Sequence, residues 1–140
     1  MISTKGRYAL RIMIDLAEQN SAHYIPLGAI AERQGISAKY LQQIVKVMVS
    51  EDLLTGVSGK GGGYKLTRKP EEYTVGEILE LMEGTLASVA CLQSNSKECS
   101  RRNECKTLPM WKQFDHLVHD FFFNITVADL ANGKLDFKNL

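Results

Sequence analysis

Residues 26–67, PLGAIAERQGISAKYLQQIVKVMVSEDLLTGVSGKGGGYKLT, decide the fold. Pro26 stands where it opens a helix over Leu27 to Gln34, and Gly35 follows as a left-handed stop. Ser37 is a cap for a second helix reaching about Asp52, with Leu41, Ile44, Val45, Met48 and Val49 on one face and Lys39, Gln42, Gln43 and Lys46 on the other. The helical period then gives way to a β-prone run, Leu54 to Ser58, a glycine-rich tip GKGGG, and a second short run from Tyr64 to Thr67, together a hairpin. Short helix, tight turn, helix with a polar open face and basic hairpin spell a winged helix-turn-helix.

In that arrangement the second helix suits the width of the major groove, while the hairpin reaches backbone or minor groove. Gln42 and Gln43 each present a paired donor and acceptor, as adenine readout needs, and Lys39 and Lys46 suit phosphate or guanine. Lys5, Arg7, Lys60, Lys65 and Arg68 are candidates to neutralise flanking phosphates, and Gly61 and Gly62 to let backbone approach DNA closely. A phosphate-loop reading of the glycines fails, because no Ser or Thr follows the Lys of GKGGGYKL.

Outward from this stretch, Thr4 precedes an apolar stripe of Tyr8, Ile12, Met13, Leu16 and Ala17, predicting a first helix ending near Asn20. Thr74 and Glu77 form a capping-box pattern for a helix through Ile78, Leu79 and Met82 that stops at Gly84. Residues 85–107 lack periodicity and read as a long loop, a feature that tends to be functional. From Thr107 to about Asn124 a last long helix carries Trp111, Phe114, Val118, Phe121 and Ile125 at the spacing of a two-helix seam, widened by Met110, Leu117, Phe122 and Phe123. A helix so apolar on two sides needs more cover than a small winged domain supplies, which predicts a homodimer helix. Thr126 and Asp129 cap one further short turn ending at Gly133, before the tail LDFKNL. The expected organisation is residues 1–84 as the winged DNA-binding unit, 85–107 as the cysteine-bearing loop and 108–140 as dimerisation helix and tail, all within one compact domain.

Composition agrees with this reading. The 140 residues, 44% hydrophobic and 24% charged, suit one core that needs no disulfide or metal to staple it. Net charge is +1, but residues 1–70 hold ten Lys/Arg against five Asp/Glu and residues 71–140 hold seven against eleven, which directs the first half toward a polyanion. No stretch approaches a membrane span and MISTKGRYAL lacks signal-peptide features, so a cytoplasmic location without membrane partners is expected. No Ser/His/Asp set or carboxylate pair stands out, so an enzyme is not expected.

All three cysteines, Cys91, Cys99 and Cys105, fall in one fifteen-residue window. Thiolates are soft ligands suited to zinc, copper(I) or an iron-sulfur cluster, although the tight two- to four-residue interval usual in structural zinc sites is lacking, and His116, His119, Glu98, Glu104 or a second subunit are the candidates for a fourth ligand. Redox-active thiols near Arg101 and Arg102 are the alternative. His23 reads as a surface residue.

KGRYAL, IPLGAIAERQGISAKYLQQI, GGGYKLTRKP, TVGEILELMEG and the three downstream cysteines together resemble the IscR, NsrR and CymR family of bacterial winged-helix regulators, over about residues 1–130. ERQGIS, LPMWKQF and NITVADL are most similar to the IscR branch. The resemblance implies a homodimer on an imperfect DNA palindrome, and a cluster, 2Fe-2S favoured, held by Cys91, Cys99 and Cys105 and sensed in control of cluster-biogenesis genes. It also implies that Ser37 to Gln43, Tyr40 included, begin the recognition helix. Nitric-oxide sensing, and a cluster-free regulator signalled by a cysteine-metabolism enzyme, are the alternatives within the family. Two departures stand out: Leu108 occupies the place of the family's histidine ligand three residues after the last cysteine, and Ser58 stands before the first wing glycine where the family has Arg.

Overall fold

The structure is a computed structural model, and it describes residues 2–135. Six helices and one hairpin follow in the order α1 (Thr4–Gln19), α2 (Leu27–Gln34), α3 (Ala38–Ser50), β1 (Leu54–Val57), β2 (Gly63–Leu66), α4 (Val75–Glu83), α5 (Leu108–Phe123) and α6 (Val127–Ala131). The mainly helical architecture with a small antiparallel hairpin and a long C-terminal helix is the expected one. Helix α1 starts one residue earlier than its Thr4 signal suggests: Ser3 is the cap, its hydroxyl accepting from the Gly6 N–H. The cap is itself held across the fold, because the Ser3 N–H and hydroxyl both donate to Glu83 at the end of α4.

Ala9, Ile12, Met13 and Leu16 of α1 meet Ile30 of α2, Leu41, Ile44, Val45 and Met48 of α3, and Ile78 and Met82 of α4 in one core. Within that core lies one buried charge. Asp15 on α1 is 1% exposed and is gripped by the end of α2: Arg33 Nε donates to Oδ2 at 3.0 Å and its terminal nitrogen to Oδ1 at 2.7 Å, while Gln34 Nε2 donates to Oδ2 at 3.0 Å. Arg11 completes the link, its Nε donating to Gln34 Oε1 at 3.1 Å and its terminal nitrogen to the Gln34 carbonyl. The hydrogen bond to Asp15 also raises the affinity of Arg33 for its proton. Gly35 then turns the chain at φ +63°, and α3 begins.

The hairpin pairs Leu54 with Leu66, Thr55 with Lys65, Gly56 with Tyr64 and Val57 with Gly63. A third segment, unforeseen from sequence, joins it: Ile25 and Tyr64 exchange both backbone hydrogen bonds at 2.8 Å. Gly63 permits this, since a Cβ there would strike the Ile25 carbonyl. Beneath the hairpin, the fully buried Tyr73 receives the Thr67 and Arg68 N–H groups on its hydroxyl at 2.9 and 3.0 Å and donates to the Leu53 carbonyl at 2.8 Å.

Two C-terminal details differ from expectation. Thr74 caps α4 through the Glu77 N–H, but the Glu77 carboxylate is drawn to Arg68 at 2.7 Å instead of closing a capping box. The short helix α6, by contrast, has its full box from Thr126 and Asp129 and belongs to the core, with Val127 and Ala128 buried and the Val127 N–H donating to the Tyr73 carbonyl at 3.0 Å. Most of the tail beyond it, residues 136–140, lies outside the described residues.

Arg33→Ala leaves Asp15 buried with Gln34 alone. Removing one partner of a fully buried pair costs about 3–5 kcal/mol. Because the Arg33 side chain is 37% exposed, water screens part of that. Urea unfolding of Arg33→Ala should therefore show a loss of about 2–3 kcal/mol; a loss below about 0.5 kcal/mol, the range of an ordinary surface substitution, would remove the pair from its structural role.

Candidate nucleic-acid interface and cysteine cavity

Helix α3 buries Leu41, Ile44, Val45 and Met48 and turns Lys39, Gln42, Gln43 and Lys46 to solvent. Ser37 spends its hydroxyl on the Tyr40 N–H at 3.4 Å as the cap. The Tyr40 ring is half-buried and meets the Tyr8 ring edge-on at 5.6 Å, with Arg11 5.4 Å from the Tyr8 centroid. Tyr40 thus anchors the first turn of α3 to α1, in addition to bordering its open face.

Gln42 and Lys46 share a cleft with the wing, closed on the far side by Gly56, Val57, Ser58 and Tyr64. Lys60, Gly59 and Gly61 form the exposed wing tip, with Gly59 at φ +89° and Gly61 at φ +75°. Gly62 is required for a different reason: a Cβ there would strike the Val57 carbonyl across the turn. Arg7 is exposed on the first turn of α1, and Lys5 beside it is half-buried.

Two of the candidate phosphate contacts have partners within the protein. Arg68 is committed to Glu77 at 2.7 Å, to the Glu72 carbonyl at 3.1 Å and to the Tyr73 ring at 4.2 Å, and so braces the wing base. Lys65 follows Tyr64 in the strand and points to the opposite face of the hairpin, with its ammonium 4.7 Å from the Tyr24 centroid, away from the α3 cleft.

The cysteines lie between Gly84 and α5, on a loop folded into two short 3-10 turns, Ala90–Leu92 and Arg102–Glu104. All three are free thiols, and they line one small cavity of about 20 Å3 together with Arg102 and Leu108. The sequence spacing of seven and five residues is thus brought together in space. Cys105 precedes α5, and hydrogen bonds from the Thr107 hydroxyl, 3.4 Å away, and the Thr107 N–H hold its thiol below the ordinary range, with Arg101 adding a smaller charge effect.

The donor set stops at three. Leu108 gives an aliphatic wall and Arg102 a cation, neither of which ligates a metal. Among the described residues no three His, Cys, Asp or Glu side chains are arranged to hold a single metal ion. His116 and His119, expected as candidate fourth ligands, are eight and eleven residues along α5 from Leu108, about 12 and 16 Å at the helical rise. Both are exposed and turn to Asp120, at 3.2 and 3.5 Å, with His119 stacked on Phe123. Glu98 and Glu104 do not line the cavity.

Helix α5 buries none of its residues completely. Its outward stripe is Met110, Phe114, Leu117 and Phe121, each about half exposed or more. Phe114 and Phe121 of the expected seam lie on this stripe with Met110 and Leu117, whereas Trp111 and Val118 are half-buried and Ile125 lies past the helix end. Phe123 sets this rotation: its ring lies where a Gly76 side chain would be, on the side of α5 opposite the stripe.

A helix-turn-helix with a solvent-facing α3, flanked by a basic wing, is the architecture of a winged-helix transcription regulator. The chain belongs to the Rrf2 family, whose sequence profile, that of iron-dependent transcriptional regulators, matches residues 2–133. It is similar to the HTH-type transcriptional regulator IscR of Pectobacterium atrosepticum, 33% identical over 133 residues that span 95% of this chain and 80% of that protein. Among solved structures it is similar to CymR, the global cysteine regulator of B. subtilis, with a TM-score of 0.76, 31% identity and coverage of 97% of this chain and 98% of that one. IscR of T. potens superposes with a TM-score of 0.72 at 28% identity, over 100% of this chain and 92% of that one. These relatives are regulators and not enzymes, in line with the sequence reading. No helix among the described residues is long and apolar enough to cross a membrane.

Lys60→Ala should weaken binding to all DNA sequences and lower the salt slope by about one unit, while Gln42→Ala should change base preference at one position of each half-site. Fluorescence anisotropy across a salt series and a substituted operator set separates them; equal, sequence-independent losses would reverse the assignment of anchor and reader.

Proposed function

We propose that the chain is a homodimeric, cytoplasmic DNA-binding regulator that senses iron-sulfur cluster status through Cys91, Cys99 and Cys105 and controls genes of cluster biogenesis. The observation that carries this reading is the convergence of the three thiols on one cavity at the start of α5, within the loop that follows α4. The match to iron-dependent regulators and the IscR relatives supports it. Lys5, Arg7, Lys39, Gln42, Gln43 and Lys46, with Lys60, Gly61 and Gly62 of the wing, are the groups offered to double-stranded DNA, in two copies on an imperfect palindrome.

Three soft sulfur donors fit an iron-sulfur centre better than a hard cation, and the ligands of a two-iron cluster are divided between its irons and need not converge on one point. When bound, such a cluster supplies redox-sensitive iron-thiolate bonds. Cys91, Cys99 and Cys105 would hold it, and Arg102 would offset thiolate charge. Leu108 excludes water from one wall and leaves the fourth ligand to a donor outside this set. The Ser88 N–H donates to Asp115 of α5 at 2.8 Å, which ties the loop to the long helix.

Protein purified without oxygen should carry near-stoichiometric iron and acid-labile sulfide per chain and show visible charge-transfer bands. Replacing all three cysteines by Ala should abolish those bands and change affinity for at least one promoter; unchanged binding at every site would end the sensing reading. Colourless protein that resists reconstitution would leave a regulator with zinc or thiol chemistry, as in the cluster-free alternative.

The exposed stripe on α5 is the surface proposed for the second copy. Four large apolar residues about half exposed along one helix are the kind of contiguous patch that marks an interface. Phe114→Asp with Leu117→Asp should give a monomer by light scattering and weaken operator binding at least tenfold; a dimeric double variant would place the interface elsewhere.

A further inference from the structure

A second cavity, of about 430 Å3, opens between the last turn of α1 and the base of the wing, on the hairpin face turned away from α3. Its size is that of a small-molecule site. The floor is apolar, from Leu16 and Ala17 of α1 and Leu66 of β2, and the rim carries Lys65 and Lys69. Arg68 and Glu72 also border it: Arg68 is paired with Glu77, and the Glu72 carboxylate accepts the Lys69 N–H at 2.9 Å and keeps its charge. Among the described residues, neither rim lysine has a carboxylate within ion-pair distance. The cavity thus presents the Lys69 ammonium, and the Lys65 ammonium beside the Tyr24 ring, together with the Glu72 carboxylate above a hydrocarbon surface.

We propose that this cavity is a binding site for a small organic anion with an apolar body. The anionic end lies toward Lys65 and Lys69. The opposite orientation is disfavoured, because α1 points its carbonyl end at the cavity and has no basic residue in its last turn to offset that negative pole. The apolar body covers Leu16, Ala17 and Leu66. An occupant touches α1, the segment before Ile25 and β2 together, so it would set the angle at which the wing leaves the core. This site stands apart from the cysteine cavity and from the α3 cleft, and it does not rest on the cluster reading.

The test is amide-resolved NMR titration of the full chain with three probes: hexanoate, acetate and 1-hexanol. Hexanoate should give saturating shifts confined to Ser21, His23, Leu66 and Lys69, with affinity at least tenfold above acetate, while 1-hexanol gives none. Lys65→Ala and Lys69→Ala, both surface changes, should each weaken hexanoate roughly tenfold, reading the lost charge contact. Equal affinity for acetate and hexanoate would mean a bare anion contact and overturn the proposal. So would absence of saturation with hexanoate. If the two lysine variants instead leave hexanoate unbound in every form and each lowers the DNA salt slope by about one unit, the rim belongs to the phosphate footprint and the proposal fails.

Discussion

A carboxylate in the core governs how this protein presents its reading helix. Asp15 has almost no contact with water and is held by three hydrogen bonds from the two residues that end α2. A charge in that position is tolerable only if fully partnered, so Arg33 and Gln34 have little freedom. They immediately precede Gly35, where the chain turns into α3. The Ile36 N–H, bonded back to the Ala31 carbonyl at 3.1 Å, closes the turn. Apolar packing alone would hold α2 and α3 against α1 while permitting small slides. Directional hydrogen bonds to Asp15 select one register, and the open face of α3 inherits it.

The wing depends on a comparable constraint at its base. Tyr73 is the largest fully buried side chain, and its hydroxyl joins Leu53 at the entry of β1 to Thr67 and Arg68 at the exit of β2. A two-stranded hairpin is marginal in water without such support. Ile25 adds a third segment on the far edge, so the wing is paired on both sides of β2. One strand therefore separates two different surfaces: Tyr64 borders the cleft with α3, and Lys65 borders the cavity with α1.

The C-terminal third follows from what α4 leaves free. Gly76 admits Phe123, which fixes the rotation of α5 and turns Met110, Phe114, Leu117 and Phe121 outward. The cysteine loop spans from the end of α4 to the start of α5, so cavity and outward stripe share one helix. Helix α6 returns to the core and ties this region to α1 through Val127 and Ala128.

Local chemistry made most of the fold legible from residues alone. Pro26, Gly35, Ser37, the Thr126 and Asp129 box and the glycine tip act within a few positions of themselves, so helix limits and the hairpin were readable. The open face of α3 was readable too, because helical period assigns Lys39, Gln42, Gln43 and Lys46 to one side whatever lies beneath. Contacts between distant segments were not. Nothing near Asp15 in sequence distinguishes it from a surface carboxylate, and its burial depends on Arg33, 18 positions away. The pairing of Arg68 with Glu77, the strand face that takes Lys65, and the rotation of α5 that half-buries Trp111 and Val118 all depend on which segments meet. Sequence spacing determined that three cysteines share a loop; only tertiary structure decided that they line one cavity with Leu108 as its wall, because a loop without periodicity carries no record of where its side chains converge.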